Sequence, residues 1–239
     1  MTVHDLAVFD FDWSLIEADS DQSVVKGLSE LQWTKVAALG NMQWTDLIDQ
    51  SLCELQDQGV TLEQINQVLQ SIPLVPSALE VLKLLRANNA HILILSDANT
   101  YFIDVILKAH GIRHLVTDII TNPAYFDEKG RLRVQRHIPA EGPQHHCPNL
   151  CAVNICKGQE LDRYIATHGP YRKVMYVGDG RNDFCPGLRL QATDYYFVRN
   201  HKPLASILET DEKAAERITA PVTYWSDHKP ILDTLKTHY

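Results

Sequence analysis

Leu6-Ala7-Val8-Phe9-Asp10-Phe11-Asp12-Trp13-Ser14 is the stretch that decides the fold. Four consecutive apolar residues read as a buried strand, and carboxylates at i and i+2 follow its end. Carboxylates so placed are delivered to the carboxyl edge of a parallel sheet, where open α/β proteins bind ligands. Working outward, short apolar strands are expected at 91–95, 116–120, 173–177 and 195–198. Helices are expected between them at 76–88, 99–110 and 157–168, the second closed by Gly111. This alternation predicts an α/β fold: a doubly wound parallel sheet covered on both faces. Glu128-Lys129-Gly130 reads as a hairpin turn, residues 137–156 as irregular, and the chain beyond Val198 as further helices.

One block breaks the rhythm. Residues 18–72 read as helical directly after the first strand. Apolar residues at 44, 47, 48, 52 and 55 have helical spacing, and Thr61 with Gln64 has the spacing of a capping box. Pro73 and Pro76 end the block. The expected organisation is a core of residues 1–17 and 73–239 with a helical cap, 18–72, inserted in it. Trp33 and Trp44 are expected inside the cap's own core.

With 239 residues the chain is long enough for one such core and a small accessory domain. Thirty acidic against 22 basic residues give a formal charge of −8, which weighs against a nucleic-acid or anionic-membrane partner. No apolar run reaches the ~18 residues of a membrane span. The opening MTVHDLAVFD has no basic segment ahead of an apolar one, so a cytoplasmic protein with reduced thiols is expected. Five cysteines stand at 53, 147, 151, 156 and 185. His145, His146, Cys147, Cys151 and Cys156 leave two readings open, a structural zinc site or partly buried free thiols.

Four polar clusters sit at or just beyond the ends of core elements: Asp10 with Asp12, Ser96, Lys157, and Asp179 with Asp183. Singly, each has a plain reading. The first pair could cap a turn, Ser96 could end a strand, and Lys157 could be a solvated helix charge. Together they suit phosphoryl transfer. Carboxylates hold Mg²⁺ through oxygen, the cation and a lysine offset phosphate charge, and a hydroxyl donates to a phosphate oxygen.

The set resembles the haloacid dehalogenase superfamily. Asp10-Phe11-Asp12-Trp13-Ser14 matches its first motif, DxDx[TS]; Ser96 matches the second, Lys157 the third, and Gly178-Asp179-Gly180-Arg181-Asn182-Asp183 the fourth, GDGxxD. The resemblance implies a Rossmann-like core with a small helical C1-type cap. It makes Asp10 the nucleophile and Asp12 the general acid and base. It has Asp10 and Asp179 bind Mg²⁺ through side chains and Asp12 through its carbonyl, with Asp183 supporting the metal's water shell. Ser14 stands where many members have Thr.

The strings DFDWSLIEADSD, LSDANTYFI, TNPAYFDEKGRL, NICKG and VGDGRNDFCPGLRL are similar to the eukaryotic phosphoethanolamine/phosphocholine phosphatases. That subfamily includes pyridoxal phosphate phosphatases and plant enzymes acting on other small phosphates. The resemblance places Asp21, Asp97 and Trp13 at the substrate pocket, with Ser14 and Ser96. Asp21 and Asp97 also have structural readings, as a helix-dipole charge and a helix cap. The expected substrate is a small phosphomonoester carrying a cationic amine, with pyridoxal phosphate, thiamine phosphate or pyrophosphate as alternatives. A protein phosphatase is disfavoured by the roofing cap, and a non-catalytic phosphate-binding module by the intact Asp10, Asp12, Lys157 and Asp179.

Overall fold

The computed structural model describes residues 3–38, 40 and 42–239. In chain order the strands are β1 (Leu6–Phe9), β2 (His91–Asn99), β3 (Asp118–Asn122), β4 (Ala124–Phe126), β5 (Leu132–Val134), β6 (Val174–Gly178), β7 (Tyr195–Arg199) and β8 (Val222–Trp225). The helices are α1 (Ser20–Leu28), α2 (Glu30–Ala38), α3 (Trp44–Asp57), α4 (Leu62–Ser71), α5 (Pro76–Ala87), α6 (Thr100–Ala109), α7 (Lys157–His168), α8 (Phe184–Gly187), α9 (Pro203–Thr210), α10 (Glu212–Ala215) and α11 (Lys229–His238). Six strands form one sheet in the order β3-β2-β1-β6-β7-β8. Every neighbouring pair in it is parallel. A Rossmann-like α/β fold is therefore present, with β1 and β6 as its two central strands.

The period of two along β1 explains why its run is apolar throughout. Ala7 and Phe9 join one buried cluster with Ile92, Ile94 and Val177. Leu6 and Val8 join the other with Leu93, Leu95 and Tyr176. Helices α5, α6 and α11 cover the first face through Val81, Phe102 and Ile231. Helices α7 and α9 cover the second through Leu161 and Leu204. Each large apolar side chain buried here contributes about 1.5–3 kcal/mol.

Two expectations needed correction. The chain beyond Val198 is not all helical, because Val222-Thr223-Tyr224-Trp225 adds β8 to the sheet edge. Strand β2 also runs on past Ser96 to Asn99, with an irregular register against β3 between Leu95 and Asn99. That extension carries Asp97 forward over the carboxyl edge.

The helices α1 to α4 occupy the interval between β1 and α5, and Val24, Leu47, Ile65 and Leu69 extend the first apolar cluster into them. The β4–β5 hairpin grips α3 from outside. The Gln56 side chain bonds both backbone groups of Leu132, accepting at 2.8 Å and donating at 3.0 Å. Arg131, Arg133 and Arg136 pair with Asp57, Asp49 and Asp46, each with an N–O distance of 2.8 Å. Partly exposed pairs of this kind contribute about 0–1 kcal/mol each, so they direct the hairpin more than they stabilise it. Among the described residues, no single helix is long and apolar enough to cross a membrane.

Candidate active site

Asp10 leaves β1 with its N–H still on the ladder, donating to Val177 at 2.9 Å. Its Oδ1 accepts the Phe11 N–H at 2.7 Å and lies 2.9 Å from the Lys157 ammonium. Among the described residues, Oδ2 has no protein partner and is left for chemistry. Lys157, first residue of α7, is wholly buried and also donates to Asp183 Oδ1 at 2.8 Å.

Asp183 has both oxygens committed. Oδ1 also takes the Tyr176 hydroxyl at 2.7 Å, and Oδ2 takes the N–H groups of Asp179 and Gly180 at 3.0 and 2.8 Å. This carboxylate folds the turn that presents Asp179. Gly178 is required there, because a Cβ would stand 2.6 Å from the Asp183 side chain. Ser14 is fully buried and donates to Asp179 Oδ1 at 3.3 Å.

Carboxylate oxygens of Asp10, Asp179 and Asp183 lie within 4.8 Å of one another. Burial, then the Asp183 charge, push the Asp10 carboxyl well above its ordinary range, against the opposing Lys157. The same first two causes raise Asp179 to about 7. Packed, oxygen-only and mutually repelling, the group has the donor chemistry of a hard divalent cation such as Mg²⁺. Asp10 and Asp179 would hold it, since the oxygens of Asp183 are already spent.

A raised carboxyl contributes stability below its ordinary pKa and loses it as pH climbs to the folded value. For Asp179 that window runs from 3.8 to about 7. A Mg²⁺ ion held there would relieve the ionised cluster, so the rise in Tm on adding Mg²⁺ is expected to grow across this window. Scanning Tm with and without Mg²⁺ from pH 4 to 7.5 checks this. A Mg²⁺ increment that stays flat with pH, or that survives in full in Asp179→Asn, would refute the assignment.

Asp12 stands at the mouth. Its oxygens accept the Ser20 N–H and hydroxyl, both at 3.1 Å. Burial, then Asp19, Asp21 and Asp10, hold its carboxyl well above the ordinary range, which favours the protonated form. A cavity of about 370 Å³ opens over these groups. Asp10, Asp12, Asp19, Asp21, Asp97 and Asp179 line it with Trp13, Trp44, Gly180 and Asn182. Among the described residues no lysine or arginine lines it, and the Lys202 ammonium stands beside it on the Trp13 ring.

The family model described as Putative Phosphatase matches residues 5–238. The chain belongs to this family. It is a phosphatase of the haloacid dehalogenase superfamily. Inorganic pyrophosphatase 2 of Arabidopsis thaliana is 37% identical over 225 residues, covering 92% of this chain and 78% of that protein. Pyridoxal phosphate phosphatase PHOSPHO2 of Rattus norvegicus is 30% identical over 244 residues and covers 97% of each. Among solved structures, a substrate-bound phosphoserine phosphatase superposes with a TM-score of 0.62 at 14% identity, over 98% of this chain and 99% of that one. This last likeness concerns the fold.

The sequence-derived site residues of the phosphatase come together, though not all face the cavity. Ser14 lies behind Asp179, so its hydroxyl orients a carboxylate and does not reach the cavity. Ser96, two residues past the Phe9–Ile94 register pair, is fully buried and is not among the residues lining the cavity; its Oγ accepts the Ala98 N–H at 3.2 Å and keeps its proton to donate. Trp13 lines the cavity in a left-handed conformation, φ 56°. Its ring already carries the Lys202 ammonium, 3.6 Å from the centroid. Asp97 accepts from Asn182 at 2.9 Å.

Trp44 overturns its expectation. It is 38% exposed at the cavity wall, and its Nε1 donates to Asp21 Oδ2 at 2.8 Å. Trp33 packs against the apolar cluster and meets the Trp44 ring edge-on at 6.3 Å. Asp19 and Ser20 were also missed. The signal for them was local: Asp19 caps α1 by accepting the Gln22 N–H at 2.8 Å, and Ser20 follows it.

Proposed function

We propose that this phosphatase is a Mg²⁺-dependent phosphomonoesterase whose substrate carries an amine, phosphoethanolamine first and phosphocholine second. The observation that supports this is the lining: six carboxylates, with no basic residue among the described lining residues and the Lys202 ammonium standing behind them on the Trp13 ring. A bound divalent cation would neutralise phosphate charge between Asp10 and Asp179, and Lys157 offsets Asp10 from behind. Asp19, Asp21 and Asp97 remain, and their charge repels a bare phosphate monoester. An ammonium group on the substrate reverses the sign of that interaction. It would also draw the Asp21 carboxyl back down, which burial and Asp19 now hold well above its ordinary range. Lys202 already occupies Trp13, so recognition of the amine falls to carboxylates, and charge-assisted hydrogen bonds favour a primary ammonium over a quaternary one.

In the reaction, Asp10 Oδ2 attacks phosphorus and the ester P–O bond breaks. Asp12 gives its proton to the departing alkoxide. It then takes a proton from water as that water attacks phosphorus, and cleavage of the Asp10–phosphorus linkage releases phosphate. Ser96 donates to a phosphate oxygen. Helices α1 to α4 act as the lid, hinged near Glu17–Asp19 and Pro73–Pro76, that excludes bulk water during transfer. Five free cysteines fit the reducing cytoplasm as the place of action. Pyridoxal phosphate is the second reading, favoured by the exposed Trp44 indole on which a flat ring can stack.

A panel of phosphoethanolamine, phosphocholine, pyridoxal phosphate, thiamine phosphate and pyrophosphate at fixed Mg²⁺ tests this. Asp21→Asn and Asp97→Asn should raise KM for phosphoethanolamine at least about tenfold more than for an aryl phosphate, one charge-assisted hydrogen bond's worth. Equal effects on both substrates would sink the amine pocket and leave a general small-molecule phosphatase.

A further inference from the structure

Behind the catalytic carboxylates, four of the five cysteines converge. Cys147 and Cys151 come from the irregular segment after the hairpin, Cys156 is the cap of α7, and Cys185 lies in α8. Their sulfurs close a ring: Cys147–Cys151 3.6 Å, Cys151–Cys156 3.5 Å, Cys156–Cys185 3.8 Å and Cys185–Cys147 3.7 Å. All four lie within 4.8 Å of one another. We propose that these four thiolates bind a structural Zn²⁺ ion.

The distances carry the argument. A tetrahedral ion with Zn–S legs of about 2.3 Å has S–S edges of about 3.8 Å. A disulfide needs about 2.05 Å, and every cysteine here is free. Thiols are weak donors and weak acceptors, so a ring of four has little to hold it without a cation.

The surroundings are built for thiolate charge. The Asn149 amide donates to Cys147 and Cys185 at 3.5 and 3.7 Å, and Arg217 fixes its other end by donating to Asn149 Oδ1 at 2.8 Å. The N-terminus of α7 faces Cys156, where a helix favours negative charge. Gly158 permits the approach, because a Cβ there would stand 2.5 Å from the Cys185 sulfur.

His145 is not a ligand in this arrangement. Its ring nitrogens face the Ala152 carbonyl and the Cys147 N–H, both at 2.9 Å, and so shape the loop. With four protein ligands the site is closed, which makes it structural and not catalytic. Its place in the chain gives it a task. Cys156 directly precedes Lys157, and Cys185 follows Asp183 by two residues. The ion would thus clamp the backbone that sets the Lys157–Asp183 pair.

The full chain, produced with zinc in the medium and desalted, is analysed by elemental and native mass spectrometry. One zinc per chain is expected, and titration of the thiols with a mercurial should release it. Cys151→Ser and Cys185→Ser should hold zinc at least about tenfold more weakly, while Cys53→Ser keeps it. Co²⁺ loaded into the wild-type chain should give the intense visible and charge-transfer bands of a tetrahedral thiolate site, a reading that needs no variant to fold. Folded wild-type protein without zinc, iron in its place, or zinc undiminished in the cysteine variants would overturn the assignment.

Discussion

Asp10→Asn is expected to lower kcat by at least about a hundredfold, the floor of a catalytic-group effect, while the protein stays folded. The amide preserves shape, and its oxygen can still accept from Phe11 and Lys157, the two donors at Oδ1. Under the proposed mechanism it loses the second anionic oxygen, which is the nucleophile, and half of the pair that would face the cation. Removing one charge from a crowded cluster should leave Tm of the metal-free protein unchanged or higher. Turnover of an aryl phosphate and circular dichroism read the two effects separately. A variant that kept more than about a hundredth of wild-type turnover would move the nucleophile elsewhere.

Lys157→Met is expected to damage both stability and turnover. The ammonium has no solvent exposure and touches Asp10 and Asp183 at 2.9 and 2.8 Å. Burial alone would lower its pKa, but the two carboxylates outweigh burial and raise it above the ordinary lysine value. A raised lysine contributes its full stability below 10.5 and loses it only above, so the whole contribution is present at neutral pH. Deleting one side of a buried pair costs about 3–5 kcal/mol, because the remaining charge is stranded. The deficit should shrink in acid, where the abandoned carboxyls take up protons. Denaturant midpoints at pH 7 and pH 4.5 check this, and a loss below about 1 kcal/mol, the surface-pair scale, would mean the pair is hydrated.

The legible parts of this protein are those that short-range chemistry dictates. Leu6–Phe9 could be read as a buried strand because four consecutive residues are apolar, and Asp10 and Asp12 as site candidates because they directly follow it. Gly178, the last residue of β6, showed in the sequence only as the opening of the GDGxxD string. Strand β8 escaped because only Trp225 of its four residues is buried, so no apolar period survives. Trp44 escaped because a tryptophan at helical spacing reads as core; only the meeting of α1 and α3 turns its ring edge toward Asp21. Cys185 was not joined to the other three cysteines because α7 and β6 separate them along the chain. The β4–β5 turn was visible at Glu128–Gly130, yet its three arginines reveal their purpose only beside the aspartates of α3.

That hairpin also assigns the two walls of the cavity to different anchors. Trp44 begins α3, which Arg131, Arg133 and Arg136 moor to the hairpin. Asp21 sits on α1, whose first residue is tied to Asp12. The 2.8 Å bond from indole to carboxylate is therefore a latch across the mouth, with one half on each anchor. Trp44 and Asp21 both belong to the proposed α1–α4 lid, so the bond survives a rigid swing of that lid and breaks only where α1 shifts against α3, the indole then exchanging a carboxylate for water. Of the four tryptophans, Trp44 is thus the intrinsic fluorophore whose emission would report a shift of α1 against α3.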